Sequence, residues 1–147
     1  MRAKVHCCGT TIMRITGAPR GESRRRDVRK LAVCFGPDGW FISLDASTGK
    51  ERWRKKVADE KLQYFTRMAP MVVKNHIIVG VGGDAMDVRG YLDARDPETG
   101  ELQWRWWSEP EKPGDPGAGT WPSKGAMDHG GGMTWLPGTY DPELNLL

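Results

Sequence analysis

Apolar residues enter this chain in short bursts, and the bursts begin only after residue 30. Residues 31–36 and 40–44 are rich in β-branched and aromatic side chains and flank Pro37-Asp38-Gly39, so they predict a β-hairpin. Pro70-Met71-Val72-Val73 and residues 76–80 flank Lys74-Asn75 and predict a second one. Tyr91-Leu92-Asp93-Ala94 predicts a further strand. Residues 1–30 show no sustained period and include Arg24-Arg25-Arg26, which reads as a basic, poorly structured N-terminal segment. Residues 31–147 then form the structured unit. Beyond Trp104, residues 109–119 are rich in Pro, Gly and acidic side chains, a loop long enough to suggest a functional role.

A repeat organises the structured unit. Asp45-Ala46-Ser47-Thr48-Gly49-Lys50-Glu51-Arg52-Trp53 recurs 51 residues later as Asp96-Pro97-Glu98-Thr99-Gly100-Glu101-Leu102-Gln103-Trp104. In both copies Asp lies four residues before Gly, Thr one before it and Trp four after it. The residue types suit a tight turn: Asp and Thr bond forward into it and Gly supplies positive φ. Four short strands in roughly fifty residues match one blade of a β-propeller. The fold expected is therefore all-β, a partial propeller of two to three four-stranded antiparallel blades. A closed ring needs about four blades or more, so an open sheet edge and self-association are expected.

Composition agrees with that reading and narrows the partners. Gly 19, Pro 10 and Trp 7 favour short strands, many turns and large apolar surfaces in need of cover. The net charge of +3 conceals an asymmetry: residues 1–30 carry nine Lys/Arg against two Asp/Glu, and the remainder 13 against 17. The repeat region is thus acidic, and no nucleic-acid partner is expected for it. No stretch approaches a membrane span, and residues 1–30 lack the apolar core of a secretory signal. Three cysteines are too few for a disulfide framework. His6, His76 and His129 are too scattered to read as a metal cluster.

Further motifs accompany the repeats: Gly80-Val81-Gly82-Gly83, Val88-Arg89-Gly90-Tyr91, Thr120-Trp121-Pro122, Gly130-Gly131-Gly132 with Trp135, and residues 139–146. Over residues 31–147 the chain resembles the pyrroloquinoline quinone (PQQ)-dependent, or quinoprotein, alcohol dehydrogenases, which are eight-bladed propellers. The Gly-Gly-Gly-Met-Thr-Trp run leading to Tyr140-Asp141-Pro142 is its most specific part. The resemblance implies PQQ and Ca²⁺ as cofactors, an alcohol as substrate, cytochrome c or a quinone as electron acceptor, and a periplasmic setting. It also implies oxidation assisted by a catalytic base carried on a later blade, so no catalytic residue is expected within this chain.

Carried over position by position, the resemblance assigns Trp135 to stacking beneath the quinone, and Gly82 and Gly83 to close contact with it. Arg67 stands where the family commonly has a quinone-bonding Thr, and Met133 where methanol-oxidising relatives have a polar contact. Ala85 stands at the usual position of the metal-binding Glu; Asp84, one residue earlier, is the candidate Ca²⁺ ligand. As a residue it reads equally well as a turn carboxylate. Cys7 and Cys8 match a family disulfide between adjacent cysteines that lies on the opposite quinone face, or they are two reduced thiols. The alternative function is a non-enzymatic propeller scaffold or assembly module in which Arg67, Gly82 and Ala85 mark a degenerate quinone site.

Overall fold

The computed structural model describes residues 13–14, 31–36, 38–83 and 87–147. Two four-stranded antiparallel sheets follow one another along the chain. The first contains β1 (Met13–Arg14), β2 (Leu31–Phe35), β3 (Trp40–Asp45) and β4 (Glu51–Lys56), in that spatial order. The second contains β5 (Met71–Val73), β6 (His76–Gly80), β7 (Tyr91–Arg95) and β8 (Leu102–Trp107). Each is a meander, the blade expected from the strand spacing. The strand that the basic segment contributes is a departure from expectation: Met13 pairs with Val33 and Arg14 with Ala32, although their flanks carry no strand-like period.

The 51-residue repeat holds at the level of individual hydrogen bonds. Asp45 Oδ1 accepts from the Ser47 and Thr48 amides and the Thr48 hydroxyl, at 2.8–3.0 Å. Asp96 Oδ1 does the same for Glu98 and Thr99, at 2.8–3.2 Å. The turns close through Gly49 N to Asp45 O and Gly100 N to Asp96 O, with φ of 72° and 73° at the glycines. Even the ladder irregularities coincide: register shifts fall between Ser43 and Leu44 and between Ala94 and Arg95, one repeat apart.

The two sheets pack face to face. Val33, Phe35, Phe41 and Trp53 from the first meet Ile77 and Val79 from the second in one buried cluster, with Val57 at its margin. Phe35, Phe41 and Trp53 form a chain of ring contacts, 4.8 and 5.2 Å between centroids. Such burial, at about 25 cal/mol per Å² of apolar surface, is what holds blade to blade. The Arg52–Glu98 and Lys55–Glu101 ion pairs rim the seam.

The long loop after β8 is partly organised. It contains a single 3₁₀ turn at Ala118–Thr120 and a short helix, α1 (Lys124–Met127), whose Ser123 hydroxyl caps the Ala126 amide. Residues 141–146 follow, within the 139–146 motif. They form a local turn, in which Asp141 exchanges backbone hydrogen bonds with Leu146 and Asp141 Oδ1 accepts from the Glu143 and Leu144 amides.

Candidate functional site

The candidate residues gather where β6 ends. Beyond Gly80 the chain runs through Val81-Gly82-Gly83, and Gly82 pairs with Phe65 through two backbone hydrogen bonds of 2.9 Å each. The Phe65 ring lies directly on Gly82: a Cβ there would meet ring carbons at 2.5 Å. Gly83 has φ of 135° and is backed by the Gln63 carbonyl, which a Cβ would meet at 2.6 Å. Both positions therefore exclude a side chain, one by contact and the other by conformation as well. Arg67, two residues beyond Phe65, holds its guanidinium 5.3 Å from the Phe65 ring centroid, and both side chains are exposed.

The glycine run folds back onto the same end of the sheet. Gly130, Gly131 and Gly132 all have positive φ, at 62°, 129° and 58°. The Gly131 amide donates to the Val88 carbonyl, and its carbonyl accepts from the Gly90 amide. Thr134 then ties the run down: its hydroxyl accepts from the Val81 amide at 3.1 Å and donates to the Tyr91 carbonyl. Thr134 and Met68 also meet over Gly80, where a Cβ would lie 2.0 Å from the Thr134 carbonyl oxygen and 2.9 Å from the Met68 sulfur. Met68 and Thr134, the chain neighbours of Arg67 and Trp135, thus converge on the last residue of β6. Trp135 itself is half exposed. Met133 points inward instead and packs against the cluster of Ala58, Tyr64, Val81 and Tyr91.

Behind this end lies a polar layer. Arg105 stacks on Tyr91, 3.7 Å from the ring centroid, while Arg89 and Arg105 flank Trp107 at 4.1 and 5.2 Å. The Tyr64 hydroxyl donates to the Arg89 carbonyl at 2.6 Å. Burial pushes the Tyr91 phenol up to about 12, so it remains a neutral donor, bonded to the Val57 carbonyl. Glu109 is 94% buried, with Oε2 lacking a hydrogen-bond partner, and Oε1 lies 3.0 Å from where a Cβ on Gly131 would stand. Burial raises its carboxyl above the usual range, with Arg89 opposing the shift.

Of the sequence candidates, Gly82, Gly83, Arg67 and Trp135 fall at one end of the second sheet. Cys7, Cys8 and Asp84 lie outside the described residues. Among the described residues no group of three His, Cys, Asp or Glu could hold a metal ion. His76 contacts Gln103 and the Trp104 ring, and His129 lies 3.8 Å from Asp87. Phe65, Thr134 and Glu109 were not singled out from the sequence. Only Thr134, inside the Gly-Gly-Gly-Met-Thr-Trp run, carried a local signal there.

Comparison with known proteins places this geometry. A family model described as "PQQ: Glucose/ethanol/alcohol dehydrogenase, beta-propeller domain" matches residues 55–147. Quinohemoprotein alcohol dehydrogenase ADH IIB of Pseudomonas putida is 41% identical over 119 residues, covering 75% of this chain and 17% of its own length. The lanthanide-dependent methanol dehydrogenase of Methylacidiphilum fumariolicum is 40% identical over 127 residues, covering 74% of this chain and 20% of its own. The structure of quinohemoprotein alcohol dehydrogenase ADHIIG from Pseudomonas putida HK5 superimposes with a TM-score of 0.72 at 35% identity, over 80% of this chain and 19% of that one. The chain thus spans about a fifth of the length of the relatives it matches. Its two sheets are consecutive propeller blades, and the chain belongs to the PQQ-dependent alcohol dehydrogenase family.

Proposed function

We propose that this chain is part of a PQQ-dependent dehydrogenase that oxidises alcohols, and that it contributes one wall of the quinone pocket at the end of β6. The observation that carries the reading is that Met68 and Thr134, the chain neighbours of Arg67 and Trp135, meet over Gly80, beside two glycines that admit no side chain. A planar polycarboxylate needs an aromatic face, a cation and bare backbone. Trp135 offers an exposed indole, Arg67 an exposed guanidinium, and Gly82-Gly83 the backbone. These residues fit the group. Trp135 would stack on it, Arg67 would pair with a carboxylate, and Thr134 would hold Trp135 in place through Val81 and Tyr91. When bound, the quinone supplies the two-electron oxidising chemistry, with the protein orienting it.

Asp84 is the carboxylate this chain offers to a Ca²⁺ or similar hard cation, which favours oxygen ligands. Cys7 and Cys8 are the proposed second face of the pocket, as an adjacent disulfide, which would suit a periplasmic location. The proposed acceptor is cytochrome c or a quinone. No helix among the described residues is long and apolar enough to cross a membrane. The test is equilibrium binding of PQQ to the full-length protein, followed by quenching of tryptophan fluorescence, together with dye-linked oxidation of primary alcohols. Trp135→Ala should weaken binding about tenfold or more, the scale of one lost aromatic stack on a ligand. Absence of PQQ binding to the unaltered protein would leave the scaffold reading in its place.

A further inference from the structure

The quinone reading assigns roles to Arg67 and Gly82 but none to the ring between them. Phe65 sits on Gly82 so closely that even a methyl group there would collide with Cε2 and Cζ at 2.5 Å. No positive φ is recorded at Gly82, so the constraint at that position is the aromatic ring and not the backbone. The same Phe65 ring has the Arg67 guanidinium 5.3 Å from its centroid, a cation–π distance. Phe65 is nonetheless 39% exposed, and among the described residues no carboxylate pairs with Arg67. A large apolar ring held at the surface by a backbone bridge, with a guanidinium beside it, has no evident role in the core.

We infer that Phe65 is a positioning residue for an anion-binding arm. Its ring, seated on Gly82, holds the Arg67 guanidinium at the mouth of the pocket, where it receives a carboxylate of the bound quinone. Glycine at 82 is then an adaptation to Phe65, and not the decay of a used site. An unsupported arginine side chain must surrender several rotatable bonds to bind, whereas one stacked on a ring has already lost part of that freedom. The inference rests on the quinone reading, and it makes separate demands.

The experiment titrates the full-length protein with PQQ and with its trimethyl ester, which keeps the ring system but carries no carboxylate charge. Binding is read by fluorescence quenching and the stability of the unloaded protein by its Tm. Arg67→Gln should weaken PQQ binding about tenfold, the loss of one charge-assisted pair, and leave the ester unaffected. Phe65→Ala should reproduce that selective loss with little change in Tm, and Phe65→Tyr should restore it. Phe65→Ala combined with Arg67→Gln should lose no more than either alone, because the two act as one unit. Additive losses, or equal losses for PQQ and the ester, would overturn the inference while leaving the quinone pocket standing. If the unaltered protein binds neither compound, the pocket reading fails and the arm with it.

Discussion

The Trp53 indole N–H donates to the Pro97 carbonyl, 3.1 Å away, and its ring lies on Gly100, where a Cβ would meet Trp53 Cε3 at 2.6 Å. The tryptophan of the first repeat is thereby docked on the Thr-Gly turn of the second. One residue serves two needs: Gly100 turns the chain at φ of 73° and clears space for the indole of the preceding blade. The equivalent Trp104 has no such turn beneath it among the described residues and is 40% exposed, against 9% for Trp53. The same motif is finished in one blade and open in the next.

Docking makes Trp53 costly to lose. Trp53→Ala should destabilise by about 3–5 kcal/mol, the usual range for a buried aromatic, whereas Trp104→Ala should cost under about 1 kcal/mol in this chain. Gly100→Ala should also destabilise, since it adds a contact and strains a positive φ. Urea denaturation of the three variants measures this; equal costs for Trp53→Ala and Trp104→Ala would contradict the docking.

Asp93 is fully buried on β7 between two arginines. Arg95 reaches it at 2.7 Å from one side and Arg105 at 2.6 Å from the other. Asp93→Asn should therefore be more harmful than its size suggests, about 3–5 kcal/mol, because a buried pair broken on one side leaves its partner charge uncompensated. Replacing Arg105, whose side chain is partly exposed, should cost less. Thermal melts at low and high salt separate this contribution from surface ion pairs, which salt screens.

Glu109 gives the stability a pH dependence of definite sign. Its folded carboxyl titrates above the unfolded value because of burial, so the folded state holds the proton more tightly. That contribution is fully present below the unfolded value of about 4.3 and is lost as pH rises through the raised folded value. Glu109→Gln should flatten this decline and protect the Gly131–Gly132 segment against it. Melting temperatures from about pH 4 to 8 would show it; a decline unchanged in the variant would assign the effect to another group.

The second sheet also presents an apolar face. Met68, Met71, Ile78, Leu92, Trp104 and Trp106 line much of a cavity of about 680 Å³ beneath the segment that carries Met133 and Leu136. Trp106 is 55% exposed. Alone, the chain should associate as its concentration rises, with Trp106→Glu reducing association in sedimentation velocity. In full-length protein the face should be covered by a following blade, and tryptophan emission should shift to shorter wavelength.

What the amino-acid sequence determined by itself was everything that depends on neighbours along the chain. The hairpins around residues 37–39 and 74–75 and the paired Asp-to-Gly turns were legible because their hydrogen bonds are made within a few residues. The repeat offset made the blade count and the all-β class readable, and the glycine run with Trp135 pointed to the quinone family. Other features depended on distant segments meeting. No local pattern marks Phe65 as the ring over Gly82, Asp93 as the anion between two arginines, or Met133 as an inward-facing residue. The pairing of Met13 and Arg14 with β2 was likewise invisible, because a two-residue strand has no period to read. Trp53 and Trp104 are the sharpest case: identical motifs placed them alike, and only the packing of one blade on the next buried the first and left the second exposed.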